Sequence, residues 1–285
     1  MSERLDDLER RLTSVRELQD IVGAMLSLAG IRMQQAQACL DGMRSYATVM
    51  REALSRSLAL LAGDGSPMAG GREVRPIVIV FTAEHGFTGP FNRHLLDALG
   101  QAGGQTLLVA GSRGAALCHE RGIRIDWATP MATHVDGVLG TTRRISQELQ
   151  RRFRGGDPVR VDVLYARHLG AGRSAVRREI LVPLPDIARA SADLPPLLNL
   201  PPARLGELLA EEYLFGALAH AGMESIASEN GARLLSMQSA RHNIDDKRLE
   251  LERDERLLRQ EEITVEMLDV VTGAAAMSDA SDAAQ

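Results

Sequence analysis

Glu224-Ser225-Ile226-Ala227-Ser228-Glu229-Asn230-Gly231-Ala232-Arg233, then Met237-Gln238-Ser239-Ala240 and Asn243, lie inside one amphipathic run from about Ala203 to Met277. No proline follows Pro202, and Gly222 and Gly231 are isolated. Proline costs about 3 kcal/mol inside a helix and glycine about 1, so the run reads as one continuous helix. At 1.5 Å per residue it would be roughly 110 Å long, which no isolated helix sustains without a partner along its length.

The other end of the chain offers that partner. From Leu5 to Leu61 the apolar residues step by three and four: Leu5, Leu8, Leu12, Val15, Val22, Met25 and Ala29, then Met33, Ala36, Leu40, Met43, Ala47, Met50, Leu54, Leu58 and Leu61. Such spacing, sustained over many turns, is the narrow seam one helix presents to another. This helix would span roughly 85 Å, and Ala29, Ala36 and Ala47 allow close approach. Gly, Ser and Pro between Gly63 and Gly71 end it. The expected organisation is a helix over residues 1–62, an α/β domain over 74–185, a second long helix over 203–277, and a flexible tail over 278–285. The two helices are expected to pair antiparallel, with the residues near Met25 beside the last turns before Met277.

The middle of the chain has a different period. Pro76-Ile77-Val78-Ile79-Val80-Phe81-Thr82 is a continuous β-branched run, the pattern of a strand buried on both faces. A turn over Gly86–Pro90 and a helix over Phe91–Leu99 follow. Thr106–Ala110 reads as a second strand, Gly114–Glu120 as a helix, Ile123–Trp127 as a short third strand and Val138–Phe153 as a helix. Val159–Tyr165 and Arg178–Val182 complete the set before the proline-rich segment Pro183–Pro202. Alternating strands and helices imply an open, mostly parallel, Rossmann-like α/β sheet.

The chemistry is sparse. A net charge of −5 and a pI near 5.9 argue against a nucleic-acid binder, which carries a basic face. Cys39 and Cys118 have neither metal-ligand nor disulfide spacing, and point to a reducing compartment. The N-terminus has no apolar core of the signal-peptide kind, and no apolar stretch reaches the ~18 residues of a membrane span. Glu84-His85-Gly86-Phe87-Thr88-Gly89 follows a strand, where α/β folds often bind phosphate. It is neither G-x-G-x-x-G nor a P-loop, and reads as a structural turn. The seven histidines are scattered without ligand spacing, and Gly111-Ser112-Arg113-Gly114 is not a nucleophile elbow. Glu224 and Glu229 read as ordinary exposed helix positions. The charged stretch Asp245–Glu262, with only Leu249, Leu251, Leu257 and Leu258 as apolar members, reads as a solvated helix laced by Glu–Arg pairs. Neither catalytic residues, nor a metal, nor a cofactor is expected.

At the C-terminal residues the chain resembles the γ subunit of F-type ATP synthases. The family pattern E-S-x-x-S-E-x-x-A-R-x-x-x-M-x-x-A-x-x-N runs from Glu224 to Asn243. R-Q-x-x-I-T follows as Arg259, Gln260, Ile263 and Thr264, and G-A-A-A as Gly273 to Ala276. Arg11-Leu12-Thr13-Ser14-Val15 and Ala24-Met25 match the N-terminal helix, and Glu84–Asn92 is an altered D-R-G-L-C-G-x-x-N. The family usually has lysines around its N-terminal A-M block, while this chain has Asp20, Gly23, Ser27 and Gly30 nearby. Before R-Q the family carries leucines, a tyrosine and an asparagine, while this chain has Arg253, Glu255 and Arg256. This looks like a divergent branch, of the kind found in alternative sodium-pumping ATPases. The resemblance implies a non-catalytic central-stalk rotor, peripheral on the cytoplasmic face of the bacterial inner membrane. Its implied partners are the alpha and beta subunits, an epsilon subunit and the membrane c-ring. Arg259, Gln260 and Thr264 match positions that hydrogen-bond a loop of the catalytic subunit, and Met25 a position facing a neighbouring catalytic loop. Arg44, Tyr46, Glu207 and Tyr213 are expected near the ring and the epsilon subunit, and Gly273–Met277 as a tip in an apolar sleeve. The competing readings are an α/β enzyme with a helical arm and a coiled-coil adaptor without an ATPase partner.

Overall fold

The computed structural model describes residues 2–61, 75–100, 104–154, 160–170, 172–183 and 198–282. The expected boundary at Gly63–Gly71, the Gly155-Gly156 pair, Val159, most of the proline-rich segment and the last three residues lie outside that set. In chain order the elements are α1 (Ser2–Leu61), β1 (Ile77–Phe81), α2 (Phe91–Leu99), β2 (Thr106–Ala110), α3 (Ser112–Glu120) and β3 (Trp127–Thr129). A 3-10 turn leads into α4 (Val138–Phe153), and β4 (Val161–His168), β5 (Ser174–Val182) and α5 (Pro202–Asp282) follow. The chain divides into two compact units: residues 1–26 with 237–285, and residues 27–236.

The second unit holds the sheet, in order β3-β2-β1-β4-β5. The pairings β1–β2, β1–β4 and β2–β3 are parallel, and only the edge strand β5 runs antiparallel, against β4. Strand alternation divides the core into two layers. Ile77, Ile79, Phe81, Val161, Val163 and Tyr165 face α4, α5 and the Ala36–Leu40 part of α1. Val78, Val80, Leu107 and Val109 face α2 and α3 through Phe91, Leu95, Leu99 and Cys118. A strand sandwiched this way must be apolar at consecutive positions, which is why β1 reads IVIVF.

Within this unit α1 packs along α5. Ala29, Ala36, Leu40 and Leu54 are buried, as the seam predicts. Gly222 and Gly231 serve close approach of α5 to the sheet. A Cβ at position 222 would stand 3.2 Å from Val138 Cγ1, and one at 231 would stand 3.2 Å from Gly172 Cα. The first unit is a pair of helical segments. Gln19 Nε2 donates to Asp245 Oδ1 at 2.7 Å and Arg259 Nη2 to Glu9 Oε1 at 3.0 Å, which sets an antiparallel register. Leu12, Val22, Met237 and Leu251 are buried in it.

Three expectations need correction. The third strand covers Trp127–Thr129, because Asp126 exchanges hydrogen bonds with Leu107 through its backbone N–H and its carboxylate, and pairing begins only after it. Helix α3 starts at Ser112, two residues before Gly114, and α5 continues past Met277 to Asp282 where a flexible tail was expected. Neither glycine nor proline follows Gly273 to stop it.

Candidate partner-binding surfaces

In doubly wound folds a ligand sits beyond the carboxyl ends of the strands, where connections diverge to opposite sides. Here that place, at the ends of β1 and β4, is filled by α5 itself. Ser225 Oγ donates to the Phe81 carbonyl at 3.2 Å and Ser228 Oγ to the Ala166 carbonyl at 2.8 Å. The Glu224 carboxylate accepts the His168 backbone N–H at 3.0 Å. Arg233 pairs with Glu229 at 2.5 Å, donates to Asn230 Oδ1 at 3.0 Å and approaches the Gly86 carbonyl at 3.4 Å. Glu224 and Glu229 are therefore not exposed helix positions but are 1% and 4% accessible, because strand carbonyls and Arg233 satisfy the block from within. Burial pushes the Glu229 carboxyl up, with Arg233 opposing.

The turn after β1 is structural for the same reason. Glu84 accepts the Ser112 hydroxyl at 2.6 Å, the Ser112 N–H at 3.0 Å and the Met131 N–H at 2.7 Å, which explains the early start of α3. Burial raises this carboxyl, but those hydrogen bonds outweigh it and hold it below its ordinary value. Among the described residues no group of three His, Cys, Asp or Glu is placed to hold a metal.

The expected partner-contact residues fall into separate places. In the first unit Arg259 is half exposed and also pairs with Glu255 at 2.7 Å. Gln260 is exposed, and the exposed Thr264 hydroxyl donates back to the Gln260 carbonyl at 2.8 Å. The register set by Gln19–Asp245 and Glu9–Arg259 puts Met25 level with residues near 239. It does not lie beside the last turns before Met277, which are roughly 57 Å further along the helix. The same register exhausts α1 near residue 266 of α5, and beyond it Met267, Leu268, Val270 and Val271 are 57–71% exposed. In the second unit Arg44, Tyr46 and Tyr213 line one groove, where Tyr46 donates to Glu212. Glu207 stands outside that groove, exposed and paired with Arg204 at 2.9 Å.

The profile of the ATP synthase family matches residues 4–277, nearly the whole chain. The chain belongs to the ATP synthase gamma-chain family. It is 29% identical to an ATP synthase gamma chain of Moorella thermoacetica over 283 residues, covering 95% of this chain and 98% of that one. A gamma chain of Fuscovulum blasticum is also 29% identical, over 96% and 99% of the two chains. In fold, the chain resembles one in the rotor of the Euglena gracilis mitochondrial ATP synthase. The TM-score is 0.62 at 15% identity, over 92% of this chain and 100% of that one. A second match, to a chain in the OSCP/F1/c-ring assembly of the same enzyme, has a TM-score of 0.64 at 13% identity, over 97% and 95%.

For a gamma-family chain, the sequence reading overlooked several exposed apolar residues. Phe87, in the turn after β1, is 66% exposed and holds φ at +62°, a conformation a bulky residue adopts only under constraint. In the first unit Leu18 and Ile21 are 50% and 56% exposed on the outer side of α1. They do not fit the seam, and that misfit is the sequence signal that marks them.

Proposed function

We propose that this gamma-family chain is the non-catalytic central-stalk rotor of a rotary F-type ATP synthase. Its paired chain ends would turn inside a ring of alternating alpha and beta subunits. The membrane c-ring and an epsilon subunit would bind the second unit. The observation that carries this reading is the antiparallel pairing of the two termini, with Met267, Leu268, Val270 and Val271 facing outward where α1 has run out. Apolar side chains exposed together mark a surface that another chain covers, and an apolar sleeve makes few directional bonds to resist turning.

The mechanism is a population shift. Three equivalent catalytic subunits meet different faces of an asymmetric shaft, so each angle favours a different open or closed state at each site. A contact difference of about 1.4 kcal/mol between states changes their ratio tenfold. Ion flow turning the ring would thus drive ATP release, and hydrolysis would turn it back. Arg259, Gln260 and Thr264 would contact a loop of one catalytic subunit, and Met25 a neighbouring loop. Arg44, Tyr46, Glu207 and Tyr213 would lie toward the ring and the epsilon subunit. The Glu–Arg pairs along Asp245–Glu262 would keep the shaft wettable where it leaves the sleeve. The subunit is peripheral to the membrane, placed by this reading on the cytoplasmic face of a bacterial inner membrane. The coupling ion, H+ or Na+, is set in other subunits.

The test is Arg259→Ala with Gln260→Ala in the assembled complex, measuring ATP turnover and ion movement together. The expected result is a reduced ratio of ions moved to ATP hydrolysed. An unchanged ratio removes both residues from the mechanism. Gentle co-purification should recover about one copy of the chain per ring of nucleotide-binding subunits, and recovery without such subunits defeats the rotor assignment.

A further inference from the structure

His168 closes β4 where the chain turns toward β5, and its ring lies against the backbone of α5. A Cβ at Gly231 would stand 3.4 Å from its Cε1 and 3.5 Å from its Nδ1. Gly172, at φ +71°, brings the turn itself against the same helix, where a Cβ would stand 2.7 Å from Leu235 Cγ. Both ring nitrogens of His168 are shut off from solvent and have no hydrogen-bond partner among the described residues. We propose that His168 makes this join acid-sensitive: the turn is seated on α5 while the ring is neutral and lifts from it when the ring takes a proton.

The groups around the ring set that direction. Glu224 of α5 acts on it and favours the charged form. That carboxylate is already engaged: it accepts the His168 backbone N–H at 3.0 Å and faces Arg44 of α1 at 3.5 Å and His220 of α5 at 3.8 Å. Strand β5 sets the uncharged Ser174 opposite His168, and the neighbouring Arg167 and Arg173 are exposed. A protonated ring carries two N–H donors in need of acceptors, where a neutral one carries a single donor. Burial therefore outweighs Glu224 and holds the ring below its ordinary 6.5. Once the turn has lifted, water reaches both nitrogens and the ring takes a proton more readily. Closure is thus complete above 6.5 and weakens as pH falls from there toward the lowered value, by at most about tenfold per pH unit for one proton. This inference concerns the chain's own fold and does not rest on the rotor reading.

Amide hydrogen exchange of the full chain, corrected for the intrinsic effect of pH, measures the opening. The reporters are the N–H groups of Leu169 and Arg173, which bond to the Arg173 and Gly170 carbonyls at 2.9 and 3.0 Å across the turn. Their opening constant should rise severalfold between about pH 7 and 5.5, with about tenfold as the ceiling. His168→Phe keeps a ring of similar size that cannot titrate, and should make the profile flat. His220→Gln, which alters a neighbour of Glu224 and not the turn, should keep the rise. A wild-type profile that is already flat, or a rise that persists in His168→Phe, overturns the inference. So does a rise lost only in His220→Gln. The wild-type ring gives a check that needs no variant: a His168 resonance that titrates at or above 6.5 overturns the inference as well.

Discussion

Arg233→Met tests whether the buried polar block of α5 locks that helix onto the sheet. Arg233 and Glu229 are 7% and 4% exposed, and their charged groups stand 2.5 Å apart. Methionine keeps most of the apolar stem, so the loss is of charge and hydrogen bonds and not of volume. Removing one partner of a buried ion pair costs about 3–5 kcal/mol, since the other charge stays buried and unanswered. The 3.4 Å approaches to the Gly86 carbonyl are long and add little. Against a total of about 5–15 kcal/mol, the variant would lose a large share of its stability.

The pH dependence follows from the stranded carboxylate. Burial already raises Glu229 above its ordinary 4.5, and loss of Arg233 raises it further. A raised folded pKa gives stability that is complete below the unfolded value and lost as pH rises through the folded one. The deficit relative to wild type should therefore be largest at neutral pH and shrink toward acid. Glu229→Gln combined with Arg233→Met should recover most of the loss. Urea unfolding of the full chain, followed by fluorescence of the single Trp127 in β3, measures all three chains. A cost below about 1 kcal/mol at neutral pH, or a deficit that grows on acidification, refutes the lock.

Two further substitutions separate folding from assembly. Asp162 is fully buried between Arg160 and Arg178, each at 2.9 Å, so Asp162→Asn should cost about 1–3 kcal/mol, discounted because both arginines are partly solvated. Urea unfolding checks it, and a neutral result would mean that water already screens the cluster. Val270 is 71% exposed, so Val270→Asp should leave stability within about 0.5 kcal/mol. It should nevertheless abolish co-purification with nucleotide-binding subunits, and full recovery of the complex would show that this face is not covered.

Elements driven by one clear physical term were legible in the sequence. Helices α2 and α4 occupy the expected Phe91–Leu99 and Val138–Phe153, and β1 and β2 follow their apolar runs. Strands β4 and β5 extend further, through Arg167, His168 and Arg177, because an antiparallel ladder bonds through backbone groups and admits polar side chains at a sheet edge. The polar block of α5 was recognisable by its pattern but not by its physics. Local periodicity assigns Glu224 and Glu229 to solvent, since a charge is buried only when something distant answers it. Glu224 is answered by the His168 N–H, 56 residues away along the chain, and Ser225 and Ser228 by the Phe81 and Ala166 carbonyls, so nothing local announces them. Glu229 is answered by Arg233 one turn on, a pairing that local spacing shows but whose burial against the sheet it does not. The outward-facing apolar residues near the C-terminus present the converse case. Seam and surface positions alike are leucine, valine or methionine, and only the register, which exhausts α1 before α5 ends, separates those that pack within the chain from those left for another. A shaft that must both fold and be gripped carries two apolar codes on one helix, and the sequence alone spells them with the same letters.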